Sequence, residues 1–253
     1  MAVRAFVGTL SFWLAVTWIL QGSAATGGPA GFGSAAEAAR APLTLPAEIP
    51  SVQRVGLQEV VDRAVVSTRA EAEPYAARAE VFEYLLNHPE FATHVTRTLK
   101  LARFRIWQTA EGLALDDGWG TKGDFALMYA GAGRRVFYAR GRYEQRLLPD
   151  ISGQAVVTIE YAFRPDGAGR TVVATAVSGH VALDSRLLTL VGRLLGPLAQ
   201  RKADREARSL LKLFATVSRT IDERPDWVYE QLSRHAEVPR RDLEEFGRLL
   251  HQR

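Results

Sequence analysis

Two runs of alternating apolar and polar residues stand out in the pattern along this chain. Residues 153–164 place Val157 and Ile159 on one face of an extended segment and their sequence neighbours on the other, which is the period of two of a β-strand. Pro165-Asp166-Gly167 supplies turn residues. Residues 170–183 then repeat the alternation, with bulky side chains on one face and small ones on the other. The pattern predicts two long paired strands.

A helical period follows these strands without a domain break. Residues 186–200 are apolar around much of a helix circumference, and Gly196-Pro197 predicts a kink within them. Residues 201–221 carry one apolar stripe opposite a row of basic side chains, and this stripe consists of Ala203, Ala207, Leu210, Phe214, Val217 and Ile221. At 1.5 Å per residue this helix is roughly 30 Å long, which matches the width of a small sheet. Glu223-Arg224-Pro225 predicts the end of this helix.

The residues before the two strands predict short helices and then further strands. A helical period runs from Val55 to Arg69, and Ala64–Thr68 within it is a candidate strand. Residues 75–87 predict a better helix, which ends at His88 because a residue that precedes proline is disfavoured in the α region. Extended runs joined by glycine-containing turns begin near Phe104 and predict an antiparallel meander.

Together these segments predict an α+β fold in which a curved antiparallel sheet of about five strands grips a long C-terminal helix. Short helices precede the sheet, and extra helices follow the long one. We expect a flexible Gly-, Ala- and Pro-rich linker over residues 26–50, the folded domain over residues 51–224 and a C-terminal helical extension over residues 225–253.

The N-terminus has the pattern of a secretory signal peptide over residues 1–25. Arg4 precedes an uncharged run from Phe6 to Leu20, and small residues at Ser23 and Ala25 suit a cleavage site after Ala25. The alternative is an uncleaved membrane anchor, although the run is shorter than the roughly 20 residues that span a bilayer. We therefore expect a protein secreted across the inner membrane and located in the periplasm or cell envelope.

Composition narrows the possible chemistry. The net charge is +4, but 28 of the 32 basic residues are arginine and 28 acidic residues are interspersed with them. No recognition motif or aromatic stacking pattern accompanies the charge, so nucleic acid is not an expected partner. The chain has no cysteine, which excludes disulfides, thiol catalysis and thiolate metal sites.

The order of elements resembles the START-like, or helix-grip, superfamily (SRPBCC), which includes polyketide cyclases and lipid-transfer domains. Two segments carry the resemblance: residues 79–91, AEVFEYLLNHPEF, look like the helix pair of that family, and residues 171–221 look like its last strand and long helix. The resemblance implies an apolar cavity between sheet and helix, which family members use to hold lipids, sterols, quinones or polyketides.

Candidate site residues follow from that implied cavity. The candidates for its wall are His180, Tyr161, Phe137, Tyr143, Phe214 and Leu210. His180 falls on the face of small residues in the second strand, which suggests that it points into the cavity, although a structural histidine is the commoner case. Because residues 187–198 would lie at the mouth of such a cavity, Leu187, Leu190 and Leu194 are candidates for a lid. The alternative is that these leucines complete the core or an oligomer interface.

No motif predicts a cofactor, a metal or a catalytic residue. The five histidines lack an HExxH spacing, and Asp116-Asp117 is interpreted first as part of a turn. Three functions stay open: a non-catalytic envelope protein that binds a hydrophobic small molecule or lipid, a cyclase- or dehydratase-type enzyme with His180 or Tyr161 as acid or base, and an interaction module with a filled core. Peripheral contact with a membrane is compatible with the first.

Overall fold

The structure is a computed structural model that describes residues 43–118, 120–145, 148–184 and 196–251. The fold is α+β, as predicted: an antiparallel sheet with a long C-terminal helix, short N-terminal helices and extra C-terminal helices. The helices are α1 Ser51–Asp62, α2 Ala79–Asn87, α3 Pro89–Thr98, α4 Gly196–Glu223, α5 Pro225–Ser233 and α6 Arg240–His251. The strands are β1 Val66–Glu71, β2 Tyr75–Ala76, β3 Arg105–Thr109, β4 Gly112–Asp116, β5 Thr121–Gly131, β6 Arg134–Gln145, β7 Leu148–Pro165 and β8 Thr171–Leu183.

The eight strands form one sheet with the order β1-β8-β7-β6-β5-β4-β3, and β2 also pairs with β8. Strands β3 to β8 are therefore a meander of sequential antiparallel neighbours. β1 forms the other edge of the sheet by pairing with β8, with Val66 opposite Val181. The sheet is open, since β1 and β3 are its two edges. This arrangement of sheet and C-terminal helix is compatible with a helix-grip fold.

Each strand presents alternate residues to two different layers. The inner face, defined here as the face toward α4, carries Phe137, Val157, Ile159 and Val177, which are neighbours across β6, β7 and β8. The outer face carries the intervening residues, including Val136, Val156 and Ala182. The alternation predicted for β7 and β8 is thus the alternation between these two layers.

Helix α4 lies over one side of the inner face, along β1, β2 and β8. Ala199 and Ala203 pack on Val66 and Val181. Further along the helix, Ala207 and Leu211 belong to the same apolar cluster as Val173 and Val177. The helix ends at Glu223, and Pro225 opens α5, because proline cannot continue a helix but suits its first turn. The predicted break is therefore at the observed place.

The outer face is covered by the segment from residue 43 to the end of α1. Leu45, Ile49, Leu57 and Val60 are buried against the outer face. The predicted linker over residues 26–50 is therefore wrong at its C-terminal end, because apolar residues there join the core. The folded domain includes residues 43–50.

The C-terminal helices also belong to the main core. Phe246 of α6 is fully buried, and its ring centroid lies 5.2 Å from that of Phe91 in α3. Val228 and Leu232 of α5 join the same cluster. The Tyr84 hydroxyl donates to the carbonyl oxygen of Asp242 at 3.2 Å. The boundary predicted at residue 224 therefore marks a helix end and not the edge of a separate core.

Other local predictions need correction. The helix predicted from Val55 to Arg69 instead runs from Ser51 to Asp62 as α1. The candidate strand at residues 64–68 corresponds to β1. Residues 75 and 76 form the short strand β2 instead of opening α2, and the sheet has eight strands instead of about five. Among the described helices, none combines the length and the apolarity that crossing a bilayer requires.

Candidate functional site

An apolar cavity lies between the inner face of the sheet, the helix pair α2–α3 and the long helix α4. Its volume is about 160 Å³. Helix α4 lies over the β1–β8 side of the sheet. Side chains of α2 and α3, such as Phe82 and Ala92, contribute another part of the cavity wall. The wall consists of Phe82, Leu85, Leu86, Pro89, Ala92, Thr96, Phe104, Ile106, Phe125, Phe137, Val157, Ile159, Val177, Glu206, Ala207, Leu210, Leu213, Phe214, Val217 and Ser218.

The local sequence explains why these side chains converge. In α4, Leu210, Phe214 and Val217 are spaced by four and three residues, so they share one helical face. In α2, Phe82 and Leu86 are four residues apart. In the strands, the period of two brings inner-face residues of neighbouring strands side by side, as with Phe137 opposite Val157.

Aromatic contacts define the shape of the wall. The Phe82 ring makes edge contacts with Tyr161, Phe163 and Phe214, at centroid distances of 5.3, 5.8 and 6.3 Å. Across the sheet, the Phe125 and Phe137 rings stack at 5.3 Å. Such pairs contribute about 0.5–1.5 kcal/mol beyond the burial of their area, so they favour an ordered wall.

One wall residue, Glu206, carries a carboxyl group. Its side chain is only 11% exposed, and Oε1 lies 3.4 Å from Nζ of Lys202. Oε2 is buried without a hydrogen-bond partner in the described part of the chain. Burial raises the pKa of Glu206, against the opposing effect of Lys202 and Arg205. The cavity therefore combines a mostly apolar wall with one carboxyl group whose hydrogen-bonding capacity is not fully used.

The sequence contains a signal for Glu206 that the pattern analysis missed. Glu206, Leu210, Leu213 and Val217 follow a spacing of four, three and four residues, which places them on one helical face. A glutamate at an apolar-stripe position is unusual because burying a carboxyl without full hydrogen bonding costs free energy.

Three of the six predicted wall residues line this cavity: Phe137, Leu210 and Phe214. Tyr161 lies beside it, in the same apolar cluster as Phe82, and its hydroxyl donates to Oε1 of Glu83 at 3.0 Å. Burial, together with the bond to Glu83, raises the pKa of Tyr161 to about 12. Tyr143 packs elsewhere, with Ile151 and Leu183.

His180 lies on the outer face of the sheet and does not line the cavity. It pairs with Val156 across β7 and β8, and its Nδ1 lies 3.1 Å from Oγ of Ser67. The expectation that His180 points into the cavity is wrong, because it lies on the opposite face of β8, where Ala182 packs against Leu57 and Val60 of α1. Burial lowers the pKa of His180, so the folded protein favours the neutral imidazole.

The remaining candidates have no cavity role in the described structure. Leu187, Leu190 and Leu194, the predicted lid, lie outside the described residues. Asp116 and Asp117 stabilise the predicted turn: Asp116 Oδ1 accepts from the Gly118 N–H at 2.8 Å, and Asp117 Oδ1 accepts from the Thr121 N–H at 3.0 Å. Within the described ranges, no three acidic or histidine side chains gather as a metal site would require.

Comparison with protein families and with curated protein sequences finds no match. Among solved structures, the chain is similar to the hypothetical protein jhp0584 from Helicobacter pylori, with a TM-score of 0.38 and 12% sequence identity. The similarity covers 70% of this chain and 99% of that one. A function for this chain must therefore be argued from the geometry of its own cavity.

Proposed function

We propose that this chain is a START-like, helix-grip protein of the cell envelope that binds a small apolar molecule, or the apolar end of a lipid-like molecule, without chemical change. The observation that carries the proposal is the cavity between the inner face, α2–α3 and α4, whose wall is almost entirely apolar. Convergent apolar side chains with few polar groups are typical of small-molecule sites.

The cost of the cavity supports a binding role over a filled interaction module. Apolar volume left empty beside a core destabilises a fold, because the atoms of its wall lose packing contacts. A ligand that fills the space restores these contacts, whereas an interaction module with a filled core would not contain the space.

The volume also limits the ligand. Sites for drug-sized molecules are roughly 300–1,000 Å³, and a cavity of about 150 Å³ holds one benzene ring. This cavity accordingly suits a single ring or a short length of acyl chain. A larger lipid would insert only one end.

The enzymatic alternative receives less support. A general acid or base must lie within hydrogen-bond reach of the substrate. His180 lies on the opposite face of the sheet, and the Tyr161 hydroxyl donates its hydrogen bond to Glu83. Neither of the two candidate groups lines the cavity.

The exposed face of α4 supports peripheral contact with an anionic membrane. Five basic residues share this face and are exposed: Arg201, Arg205, Arg208, Lys212 and Arg219. They extend over about 27 Å of the helix. Basic residues near an anionic bilayer contribute about 1 kcal/mol each. Glu71 and Glu73 border one part of this face, so the attraction is strongest toward the N-terminal half of the helix.

Export belongs to the same proposal. The signal peptide lies outside the described residues, so cleavage after Ala25 stays a prediction. Sequencing of the purified protein should give Thr26 as its first residue. Finding Met1, or a form that resists carbonate extraction from membranes, would contradict export of a cleaved protein.

Native mass spectrometry of the protein purified from envelope fractions tests ligand binding. We expect an added mass that organic extraction removes. The variant Ala92→Phe places a ring in the cavity and should lack this mass, whereas Ala168→Phe, in the exposed turn between β7 and β8, should retain it. The same added mass on both variants would place the ligand elsewhere and contradict the proposal.

A further inference from the structure

Glu206 is the least expected residue in the cavity wall. It lies on the same helical face as Leu210 and Val217, and its side chain is 11% exposed. Oε1 is 3.4 Å from Lys202 Nζ, whereas Oε2 is buried in the cavity wall and accepts no hydrogen bond from the described residues. Buried polar atoms are nearly always paired, so an unpaired carboxylate oxygen at a ligand cavity indicates a partner supplied by the ligand.

The surroundings of Glu206 restrict the chemistry of that partner. A hydrocarbon has no donor and would leave Oε2 unpaired. A ligand carboxylate would bring two like charges together, which is unfavourable in a partly buried site. A cationic amine would be repelled by the ammonium group of Lys202, which already faces Glu206. A neutral donor meets none of these objections.

We infer that Glu206 accepts a hydrogen bond from a ligand hydroxyl, so that the cavity selects a small apolar alcohol or phenol over the matching hydrocarbon. This inference rests on the proposed binding function. The apolar body of the ligand fills the space between Phe137, Leu210 and Phe214, and the Glu206 side chain turns toward the cavity to present Oε2 to the ligand hydroxyl. Glu206 is a specificity-determining residue in this account, since the apolar wall supplies most of the burial.

Phenol and toluene form a matched pair of probes for this site. They have nearly the same shape, and each is close in size to the single ring that a cavity of this volume holds. Dissociation constants of both probes are measured for the wild-type protein and for Glu206→Leu by titration of ¹³C-methyl signals. The quantity compared is the ratio of the toluene constant to the phenol constant, because this ratio cancels changes that affect both probes.

We expect this ratio to fall about tenfold or more in Glu206→Leu, since a hydrogen bond to a charged acceptor is lost. Toluene itself should bind the variant as well as it binds the wild type. Glu206→Gln keeps a carbonyl acceptor but loses the charge, so its ratio should lie between those of the wild type and Glu206→Leu. Glu244→Leu, an exposed glutamate on α6, should leave the ratio unchanged. Glu206→Met serves as a second apolar variant if Glu206→Leu does not fold.

The outcomes separate the two claims. If toluene and phenol both bind the wild type but their ratio is the same in Glu206→Leu or Glu206→Met, the role of Glu206 is wrong and the cavity still binds apolar ligands. If neither probe binds saturably to the wild type, the proposed function fails, and the inference fails with it.

Discussion

Thr68 Oγ1 donates a hydrogen bond to Asp204 Oδ1 at 2.6 Å, which joins the first strand of the sheet to the long C-terminal helix. Thr68 is 1% exposed. Gln200 reinforces the junction, since its Nε2 donates both to the same Asp204 oxygen at 2.9 Å and to the Ser67 carbonyl oxygen at 2.6 Å. These bonds fix α4 over one side of the inner face and so maintain the space beside it.

Thr68→Val should therefore destabilise the protein. The valine keeps the shape but removes a donor to a carboxylate, which costs about 1.5–3 kcal/mol. Urea denaturation measures the change, and Thr171→Val, at an exposed strand end, should change stability by less than about 0.5 kcal/mol. A double-mutant cycle with Asp204→Asn should show coupling. Additive effects in that cycle would mean that the contact does not hold the helix.

The two large apolar residues Leu211 and Phe214 of α4 should respond differently to truncation. Leu211 is 2% exposed within a packed cluster, so Leu211→Ala should cost about 2–5 kcal/mol. Phe214 lines the cavity and is only partly buried. Phe214→Ala should cost less than Leu211→Ala, and less than the roughly 3–5 kcal/mol of a fully buried phenylalanine, although phenylalanine is the larger side chain. Arg208→Ala is the surface control. A larger cost for Phe214→Ala would mean that the cavity is filled by its own wall.

The buried histidine on the outer face should make stability depend on pH. Burial lowers the pKa of His180 in the folded state, while the unfolded value is about 6.5. The contribution is fully present above the unfolded pKa and is lost as pH falls through the lower folded pKa. The free energy of unfolding should therefore decline below about pH 6.5. His94 adds a similar effect, because burial, and then Arg97, lower its pKa.

His180→Gln isolates the first contribution, since glutamine stays neutral and can still bond Ser67. Between about pH 7.5 and pH 5, its free energy of unfolding should fall less than that of the wild type. Equal declines for the two proteins would show that His180 does not titrate as its burial requires.

Reversing two charges on the exposed face of α4 should weaken membrane association. Arg205→Glu/Arg208→Glu changes the interaction with an anionic surface by roughly 2–4 kcal/mol, so binding to vesicles that contain phosphatidylglycerol should fall more than tenfold in a sedimentation assay. Binding to pure phosphatidylcholine should not change. Arg63→Glu/Arg241→Glu has the same net charge and alters exposed residues elsewhere. An equal loss in both variants would mean that only the overall charge matters.

The sequence was sufficient for the main architecture. The sequence pattern shows the alternation in β7 and β8, the apolar stripe of α4 and the break at Pro225. Long periodic segments indicate both the type of element and the face that is buried. Short elements were harder. β1 is six residues long and follows a helical period, so its strand identity depends on pairing with Val181 and its neighbours, which lie far along the chain.

The sequence did not reveal which face of the sheet surrounds the cavity. Both faces of β8 are compatible with burial. The small neighbours of His180 suggest open space on its face and so predict a cavity there. In the structure, Leu57 and Val60 of α1 pack on that face with Ala182, so the small residues accommodate a helix. Glu206 was overlooked for a related reason: a charged residue in a helix is normally solvated, and only the tertiary structure places this one in a wall.

The central claim is that the space between the sheet and α4 is a binding site for an apolar ligand. Titration of the wild-type protein with toluene, followed through the ¹³C-methyl signals of Leu210, Leu213, Val157 and Val177, tests it most directly. We predict saturable shifts at these methyl groups, no such shifts in Ala92→Phe, and wild-type behaviour in Ala168→Phe. Absence of saturable shifts in the wild type, or equal shifts in Ala92→Phe, would contradict the account.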